Sequence, residues 1–159
     1  MATFRTSVAI AAMAMAVSSL SPWPMGRADA ALANGVIAPN FTAAGVQGGR
    51  RFSVSLAREL RRGPVVIYFF PRAFTTGCTI ESRAFAEAMP QFRRAGATVI
   101  GMSGDDIATL SRFSTETCRS AFPMASATPQ IIADFDVSLR PGITNRTSYV
   151  IARDGTVAL

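Results

Sequence analysis

Two cysteines are the residues of this 159-residue chain best suited to covalent chemistry, because the sequence contains neither histidine nor lysine. Catalytic triads with an imidazole base, lysine Schiff bases and P-loop lysines are therefore excluded. Two cysteines also fall short of the four nitrogen or sulfur ligands of a usual structural zinc site. The chemistry that remains uses thiols, hydroxyls, carboxylates and the guanidinium groups of 16 arginines.

Cys78 stands in a setting that favours a reactive thiolate. A continuous apolar segment, residues 64–70, is followed by Pro71, Thr75 and Gly77. The residues after Thr75 have helical spacing, which places Cys78 in the first turn of a helix, where free N–H groups and the helix dipole stabilise a thiolate. We expect the Thr75 hydroxyl to reach the sulfur or an oxygen bound beside it, and Gly77 to allow close approach.

The elements around Cys78 form a strand–helix–strand pattern. Residues 64–70 and 97–103 are apolar runs typical of strands buried on both faces. The helix between them spans about residues 76–94 and contains Pro90, which is expected to bend or break it. The pattern predicts parallel strands joined by a right-handed crossover, with Cys78 at the carboxyl end of the first strand, where ligand sites of such folds occur.

The rest of the chain predicts further helices and strands. Asp105-Asp106 is expected to cap a helix over residues 107–118, and residues 130–135 suggest a short helix. Residues 147–152 predict a strand, and Asp154-Gly155 predicts a hairpin turn after it. The expected fold class is α/β, with a central mixed sheet flanked by helices in one domain over residues 31–159.

The stretch from Pro71 to Cys78 resembles the active-site motif of peroxiredoxins, P-x-x-x-[TS]-x-x-C, with Thr75 at its second specified position. Further matches are the VVIYFFP strand, Thr79, Glu81 and the upstream segment Ala38-Pro39-Asn40-Phe41. The resemblance runs from about residue 36 to the end of the chain and is nearest to the bacterioferritin-comigratory, or Q, type. It implies a thioredoxin-like fold and a cysteine peroxidase that needs no metal or organic cofactor.

The resemblance also implies roles for individual residues. The family's active-site arginine stands just before a late strand, and Arg146 occupies that place. The Cys78 thiolate attacks a peroxide oxygen and becomes a sulfenic acid. Arg146, the Thr75 hydroxyl and the first-turn N–H groups stabilise the charge that spreads over both oxygens, while Pro71 shields the thiolate from water. No carboxylate has a role in this interpretation.

Cys118 is the expected resolving cysteine, the residue that attacks the sulfenic acid to form a disulfide. Some relatives carry this cysteine five residues after the reactive one, where this chain has Arg83, and others carry it in the next helix, the region of Cys118. Formation of the Cys78–Cys118 bond then requires local unwinding. Two alternatives stay open: an inert thiol buried near Phe113 and Phe122, and a static disulfide.

These features favour a peroxidase that reduces hydrogen peroxide and small organic hydroperoxides and is recycled by a thioredoxin-like dithiol protein. The alternatives are a thiol–disulfide oxidoreductase of the same fold, which the absence of a C-x-x-C motif disfavours, and a peroxide-sensing redox module. The arginines are spread along the chain without a basic stripe interleaved with aromatics, so nucleic acid is not an expected partner.

Residues 1–30 predict a cleaved secretory signal peptide. Arg5 supplies a positive start, residues 6–17 are apolar, and Ala28-Asp29-Ala30 fits a cleavage site. We therefore expect export, to a bacterial periplasm, where disulfides can form. No later apolar stretch approaches the roughly 20 residues that span a bilayer, so no stable membrane association is expected.

The end of the chain departs from the family pattern. Relatives usually continue through another strand and a closing helix, whereas this sequence stops at Leu159, soon after the late strand. The departure indicates either C-terminal truncation or an apolar face covered by a partner subunit. The expected assembly is a monomer or a homodimer.

Overall fold

The computed structural model describes residues 31–159, so the predicted signal peptide lies outside the described residues. The helices are α1 (Leu56–Leu60), α2 (Thr76–Arg94), α3 (Ile107–Glu116) and α4 (Pro129–Asp134). The strands are β1 (Thr42–Gln47), β2 (Arg50–Ser55), β3 (Val65–Phe69), β4 (Thr98–Ser103), β5 (Met124–Ser126), β6 (Ser138–Arg140), β7 (Ile143–Thr144) and β8 (Ser148–Ile151). Within this part of the chain no helix is long and apolar enough to cross a membrane.

Six of the strands form one mixed sheet in the order β2-β1-β5-β4-β3-β8. β3, β4 and β5 are parallel to one another, while β8 pairs antiparallel with β3 and β1 pairs antiparallel with β5. The predicted parallel pair is confirmed, with Val65 opposite Thr98 and Phe69 opposite Met102. The predicted α/β class, a mixed sheet flanked by helices, is also confirmed.

Side chains alternate along β3 between two hydrophobic cores, one on each face of the sheet. Ile67 and Phe69 face the core that α4 covers, where they join Phe135 and Tyr149. Tyr68 and its neighbours on the other side face the core beneath α2 and α3, which contains both cysteines. All five residues of β3 are buried, as the continuous apolar run predicts.

Helix α2 follows the predicted bounds, but the expected break at Pro90 does not occur. The helix runs through Pro90 to Arg94. Pro90 is exposed, so water can solvate the backbone carbonyl that loses its N–H partner there. The helix therefore reaches from the carboxyl end of β3 back to the opposite end of the sheet.

The shorter elements were predicted less completely. The two helices after residue 105 are confirmed. Of the predicted cap pair, only Asp106 caps α3, since its side chain accepts from the N–H groups of Ala108 and Thr109. The β1–β2 hairpin was not predicted, although its turn residues Gly48 and Gly49 both have positive φ, 57° and 76°. Such a Gly-Gly pair is a recognised hairpin signal.

Candidate active site

Cys78 occupies the third position of α2, after the N-cap residue Thr75. Its side chain is buried, and the carboxyl end of β3 lies directly before the loop that leads to it. The N–H groups of the first helical turn have no partner within the helix, because no earlier turn supplies carbonyls for them. These groups and the helix dipole create a positive environment for a sulfur anion.

Arg146 is brought to Cys78 by the antiparallel pairing of β8 with β3. Tyr68 pairs with Ser148, and the N–H of Phe69 donates to the carbonyl oxygen of Thr147 at 2.8 Å. The residue before Thr147 therefore lies at the same edge of the sheet as the β3–α2 loop. The Nη2 atom of Arg146 donates to the Cys78 Sγ at 3.4 Å across 68 residues of sequence.

Gly77 makes room for the Arg146 guanidinium over the start of α2. A Cβ atom at position 77 would lie 2.6 Å from the Nη2 atom of Arg146, closer than real Cβ contacts come. The group that approaches the backbone of Gly77 closely is therefore the guanidinium of Arg146. A larger residue there would displace the arginine from Cys78.

Glu81 holds the other side of the guanidinium, although no carboxylate was expected to have a role in the site. The Nη1 atom of Arg146 donates to the Glu81 Oε2 at 2.8 Å. Burial raises the pKa of the Glu81 carboxyl above its ordinary value, although Arg146 opposes the shift. The signal available in the sequence was spacing, since Glu81 follows Cys78 by three residues and so shares its helix face.

Thr75 and Pro71 lie in the segment before Cys78, and the Thr75 hydroxyl makes no hydrogen bond to the Cys78 sulfur. The Thr75 hydroxyl donates to the carbonyl oxygen of Arg72 at 3.1 Å. It can turn from this carbonyl toward an oxygen bound beside Cys78, because a hydroxyl rotates freely about its C–O bond. Pro71 is half-buried at the end of β3.

The loop between Pro71 and Thr75 is tied to the start of α3. The N–H of Ala73 donates to the Asp105 Oδ2 at 2.7 Å, and the Ser103 hydroxyl donates to the same oxygen at 2.9 Å. The Asp105-Asp106 pair predicts a shared helix cap, whereas Asp106 alone caps α3. Asp105 is thus a positioning residue for the loop that carries Thr75.

Phe74, in the same loop, has a φ of 62°, which is unusual for a bulky residue. Its ring packs edge-on against Phe113, with centroids 5.2 Å apart, and the guanidinium of Arg112 lies 5.3 Å from its centroid. These contacts hold the loop in the left-handed conformation. The active-site loop is therefore fastened to α3 by both polar and aromatic contacts.

Cys118 lies just after α3 and is fully buried as a free thiol, as is Cys78. Its neighbour is Ser82, whose hydroxyl also lies 3.0 Å from the Tyr68 hydroxyl. Ser82 is one helical turn beyond Cys78, so the two cysteines border the same small polar cluster. Burial raises the pKa of the Cys118 thiol to about 12, although the Ser82 hydroxyl opposes the shift.

The backbone beside Cys118 is strained. Arg119 and Ser120 adopt positive φ values of 48° and 58° in succession. Residues other than glycine enter this region at an energetic cost. The turn that would have to open for Cys118 to reach Cys78 is therefore held in a conformation of raised energy.

The residues that the structure describes offer no alternative metal centre: among residues 31–159 there is no group of three or more histidine, cysteine, aspartate or glutamate side chains suited to a metal ion. The chemistry of the site rests on the thiol, the guanidinium and the helix N-terminus.

Comparison with known proteins agrees with this geometry. The AhpC/TSA family model matches residues 35–159. The chain is 33% identical over 149 residues to the chloroplastic peroxiredoxin Q of Suaeda salsa, covering 89% of this chain and 68% of that protein. It is 34% identical over 128 residues to the chloroplastic peroxiredoxin Q of Oryza sativa subsp. japonica, covering 79% of this chain and 57% of that protein.

Among solved structures, the peroxidoxin BcpB of Mycobacterium tuberculosis superposes with a TM-score of 0.69 at 29% identity, covering 78% of this chain and 81% of that one. The chain spans less than two thirds of the length of several curated relatives that it matches. The family match nevertheless includes all the active-site residues described above. The chain belongs to the AhpC/TSA family of peroxiredoxins.

Proposed function

We propose that the chain is a thiol peroxidase that reduces hydrogen peroxide and small organic hydroperoxides at Cys78. The observation that carries the proposal is the 3.4 Å contact from the Arg146 guanidinium to the Cys78 sulfur at the N-terminus of α2. A cation and a helix N-terminus on one sulfur favour the thiolate, which is the nucleophilic form of cysteine.

In the reaction, the Cys78 thiolate attacks one oxygen of the peroxide. The S–O bond forms as the O–O bond breaks, and the electron pair of that bond leaves with the second oxygen as hydroxide or alkoxide. A proton from solvent converts this group to water or an alcohol, and Cys78 is left as a sulfenic acid. Arg146 and the first-turn N–H groups stabilise negative charge as it moves from sulfur to oxygen.

Recycling then proceeds through Cys118. Its thiolate attacks the sulfenic sulfur, the hydroxyl group leaves as water after protonation, and a Cys78–Cys118 disulfide forms. A thioredoxin-like dithiol protein reduces this disulfide. The support for this route is the position of Cys118 beside Ser82, one turn from Cys78, together with the strained turn at Arg119 and Ser120.

The test is peroxide consumption with thioredoxin or dithiothreitol as reductant. Cys78→Ser is expected to abolish turnover, while Cys118→Ser is expected to complete the first oxidation and to accumulate sulfenic acid. Mass spectrometry of the wild type after one equivalent of peroxide should show the Cys78–Cys118 link. Unchanged peroxide removal by Cys78→Ser would refute the peroxidase proposal, and a persistent sulfenic acid in the wild type would refute the role of Cys118 alone.

We also propose that the protein is exported to a bacterial periplasm after removal of residues 1–30 and that it is a monomer or a homodimer. The support is the charge and hydropathy pattern of the first 30 residues, which end in Ala28-Asp29-Ala30. N-terminal sequencing of the periplasmic fraction should give Ala31 as the first residue. A full-length chain retained in the cytoplasm would contradict export, and light scattering measures the subunit number.

A further inference from the structure

A large cavity lies at the end of the sheet opposite Cys78. Its volume is about 680 Å³, which falls in the range of small-molecule sites. Thr98 and Val99 at the start of β4 line it, as do Arg62 after α1 and Arg93 at the end of α2. Cys78 lies at the carboxyl end of β3, so the body of the sheet and the length of α2 separate the two places.

Positive charge is concentrated on the cavity walls. Four arginines line it, Arg50, Arg58, Arg62 and Arg93, against one carboxylate, Glu59. The 16 arginines of the chain are otherwise spread along the sequence. The four arginines of the cavity come from separate elements: β2, α1, the turn that follows α1, and α2. Only the tertiary structure brings them together.

Glu59 is used to hold two of the arginines in place. Its side chain lies 3.7 Å from the Nε atom of Arg58 and 3.2 Å from the Nη1 atom of Arg62. Each carboxylate oxygen of Glu59 is therefore paired with one arginine, and Glu59 itself is buried from solvent. The Arg58 guanidinium also donates to the carbonyl oxygen of Ser53.

The remaining two arginines have no carboxylate partner. Across residues 31–159, neither Arg50 nor Arg93 has an acidic oxygen within 4.0 Å, and Arg93 donates only to the carbonyl oxygen of Ala121, at 3.4 Å. Like charges gathered without neutralisation repel one another. An anion bound between them would remove this repulsion, and guanidinium groups match phosphate oxygens in geometry.

The floor of the cavity is apolar. Phe52, Ala121 and Pro123 are half-buried there and supply its accessible apolar surface, and Met89, Val99 and Phe122 are buried beneath them. An arginine-lined mouth over an apolar and aromatic floor suits a ligand with both a highly charged part and a flat or apolar part. Inorganic phosphate alone would leave this floor without contacts.

We propose that this cavity binds a phosphorylated small molecule in which a di- or triphosphate group is attached to an aromatic ring system, as in a nucleotide. The phosphates lie between Arg50 and Arg93, with Arg58 and Arg62 at the rim, and the ring packs over Phe52 and Met89. The site is distinct from the thiol site, because none of Cys78, Glu81 and Arg146 lines the cavity.

The experiment is isothermal titration calorimetry of the full chain with ATP, pyrophosphate and adenosine at about 150 mM salt, where exposed charge pairs are largely screened. The wild type is expected to bind ATP at one saturable site, pyrophosphate more weakly and adenosine not at all. The double variant Arg50→Gln/Arg93→Gln should weaken ATP binding about tenfold or more, as expected for lost charge-assisted hydrogen bonds.

The matched control is Arg51→Gln/Arg94→Gln. It removes the same charge from adjacent, exposed positions of β2 and α2 that do not line the cavity. The control should bind ATP like the wild type, and both double variants should retain peroxide turnover. Absence of ATP binding by the wild type, or equal weakening in the two double variants, would overturn the proposal. Pyrophosphate binding as tightly as ATP would overturn the role assigned to the apolar floor.

Discussion

At the scale of single residues, the reactivity proposed for Cys78 depends on how one guanidinium is held. Arg146 is fixed from two sides: its Nη1 atom bonds to Glu81 at 2.8 Å, and its Nη2 atom reaches Cys78 over the space left by Gly77. The motif residues Pro71, Thr75 and Cys78 were identifiable from the sequence. The part played by Glu81 was not, because its function is to orient a residue 65 positions away.

Replacement of Gly77 by alanine tests this arrangement. The new methyl group would contact the Arg146 Nη2 and push the flexible guanidinium away from the sulfur, while alanine favours the helix. We expect single-turnover oxidation of Cys78 by hydrogen peroxide to slow about tenfold to a hundredfold. This loss of rate is smaller than the loss usual when one oxyanion donor is removed completely, because the guanidinium is displaced and not deleted. Alkylation by iodoacetamide at neutral pH should slow in parallel because less thiolate is present.

The control for this variant is Thr76→Ala, which changes the exposed neighbouring residue of the same helical turn. It should oxidise and alkylate at the wild-type rate. Equal rates in wild type and Gly77→Ala would show that the Arg146 contact contributes nothing to the reactivity of Cys78.

At the scale of elements, α2 carries Cys78, Cys118 follows the end of α3, and both cysteines belong to the core on one face of the sheet. The contact of Phe74 with Phe113 holds the active-site loop to α3, and the hydrogen bond of Ala73 to Asp105 holds it to the residues just before α3. The turn after α3 buries Cys118 in a strained conformation. In the recycling proposed above, opening of this turn is the movement that brings Cys118 to Cys78.

Raised pH should favour this opening. The pKa of the Cys118 thiol rises from 9.0 to about 12 on burial, so the folded state holds the proton more tightly than the unfolded state does. The burial of Cys118 therefore contributes fully to stability below pH 9, and this contribution is lost as the pH rises from 9 toward 12. Deprotonation of the unfolded state lowers the free energy of unfolding by up to about 1.4 kcal/mol for each pH unit in this window.

Urea unfolding under reducing conditions at pH 8 and pH 10 measures the effect. Between these two pH values the wild type should lose about 1 kcal/mol more stability than Cys118→Ser, which has no thiol at this position. Cys118→Ser is the reference because it differs from the wild type only in lacking this thiol. A pH dependence identical in the two proteins would mean that Cys118 does not titrate with unfolding.

At the scale of the whole molecule, the sheet separates two regions of different character. The carboxyl ends of β3 and β4 face the thiol site, and the opposite end of the sheet faces the arginine-lined cavity. The two hydrophobic cores between them are joined through β3, whose side chains alternate between the cores. The core on the α4 face contains neither Cys78 nor the buried residues of the cavity floor.

Tyr149 provides a test of this separation. Its buried hydroxyl donates to the carbonyl oxygen of Phe135 at 2.7 Å and accepts from the N–H of Leu32 at 3.0 Å. Tyr149→Phe leaves both backbone groups without this partner and should lower the free energy of unfolding by about 1–3 kcal/mol. Peroxide turnover at a temperature where the variant is folded should stay at the wild-type value, and a selective loss of turnover would contradict the separation.

The amino-acid sequence by itself determined the local features: the buried strand β3, the start of α2 at Thr76, the cap at Asp106 and the position of Cys78 in a first helical turn. Each of these follows from interactions between residues near one another in the chain, such as periodic burial and capping. For the same reason the sequence identified the peroxiredoxin motif. Of the bend or break expected at Pro90, the break does not occur, because solvent can satisfy the carbonyl that loses its partner there.

The tertiary structure alone decided which distant groups meet. Strand order and helix packing bring Glu81 to Arg146 and Asp105 to the active-site loop. They also place Ser82 beside Cys118 and gather four arginines around one cavity. No spacing rule encodes these contacts, because a sheet with the order β2-β1-β5-β4-β3-β8 places residues from separate parts of the chain side by side. The residue types set the chemistry that is available, and the fold decides where each charge acts.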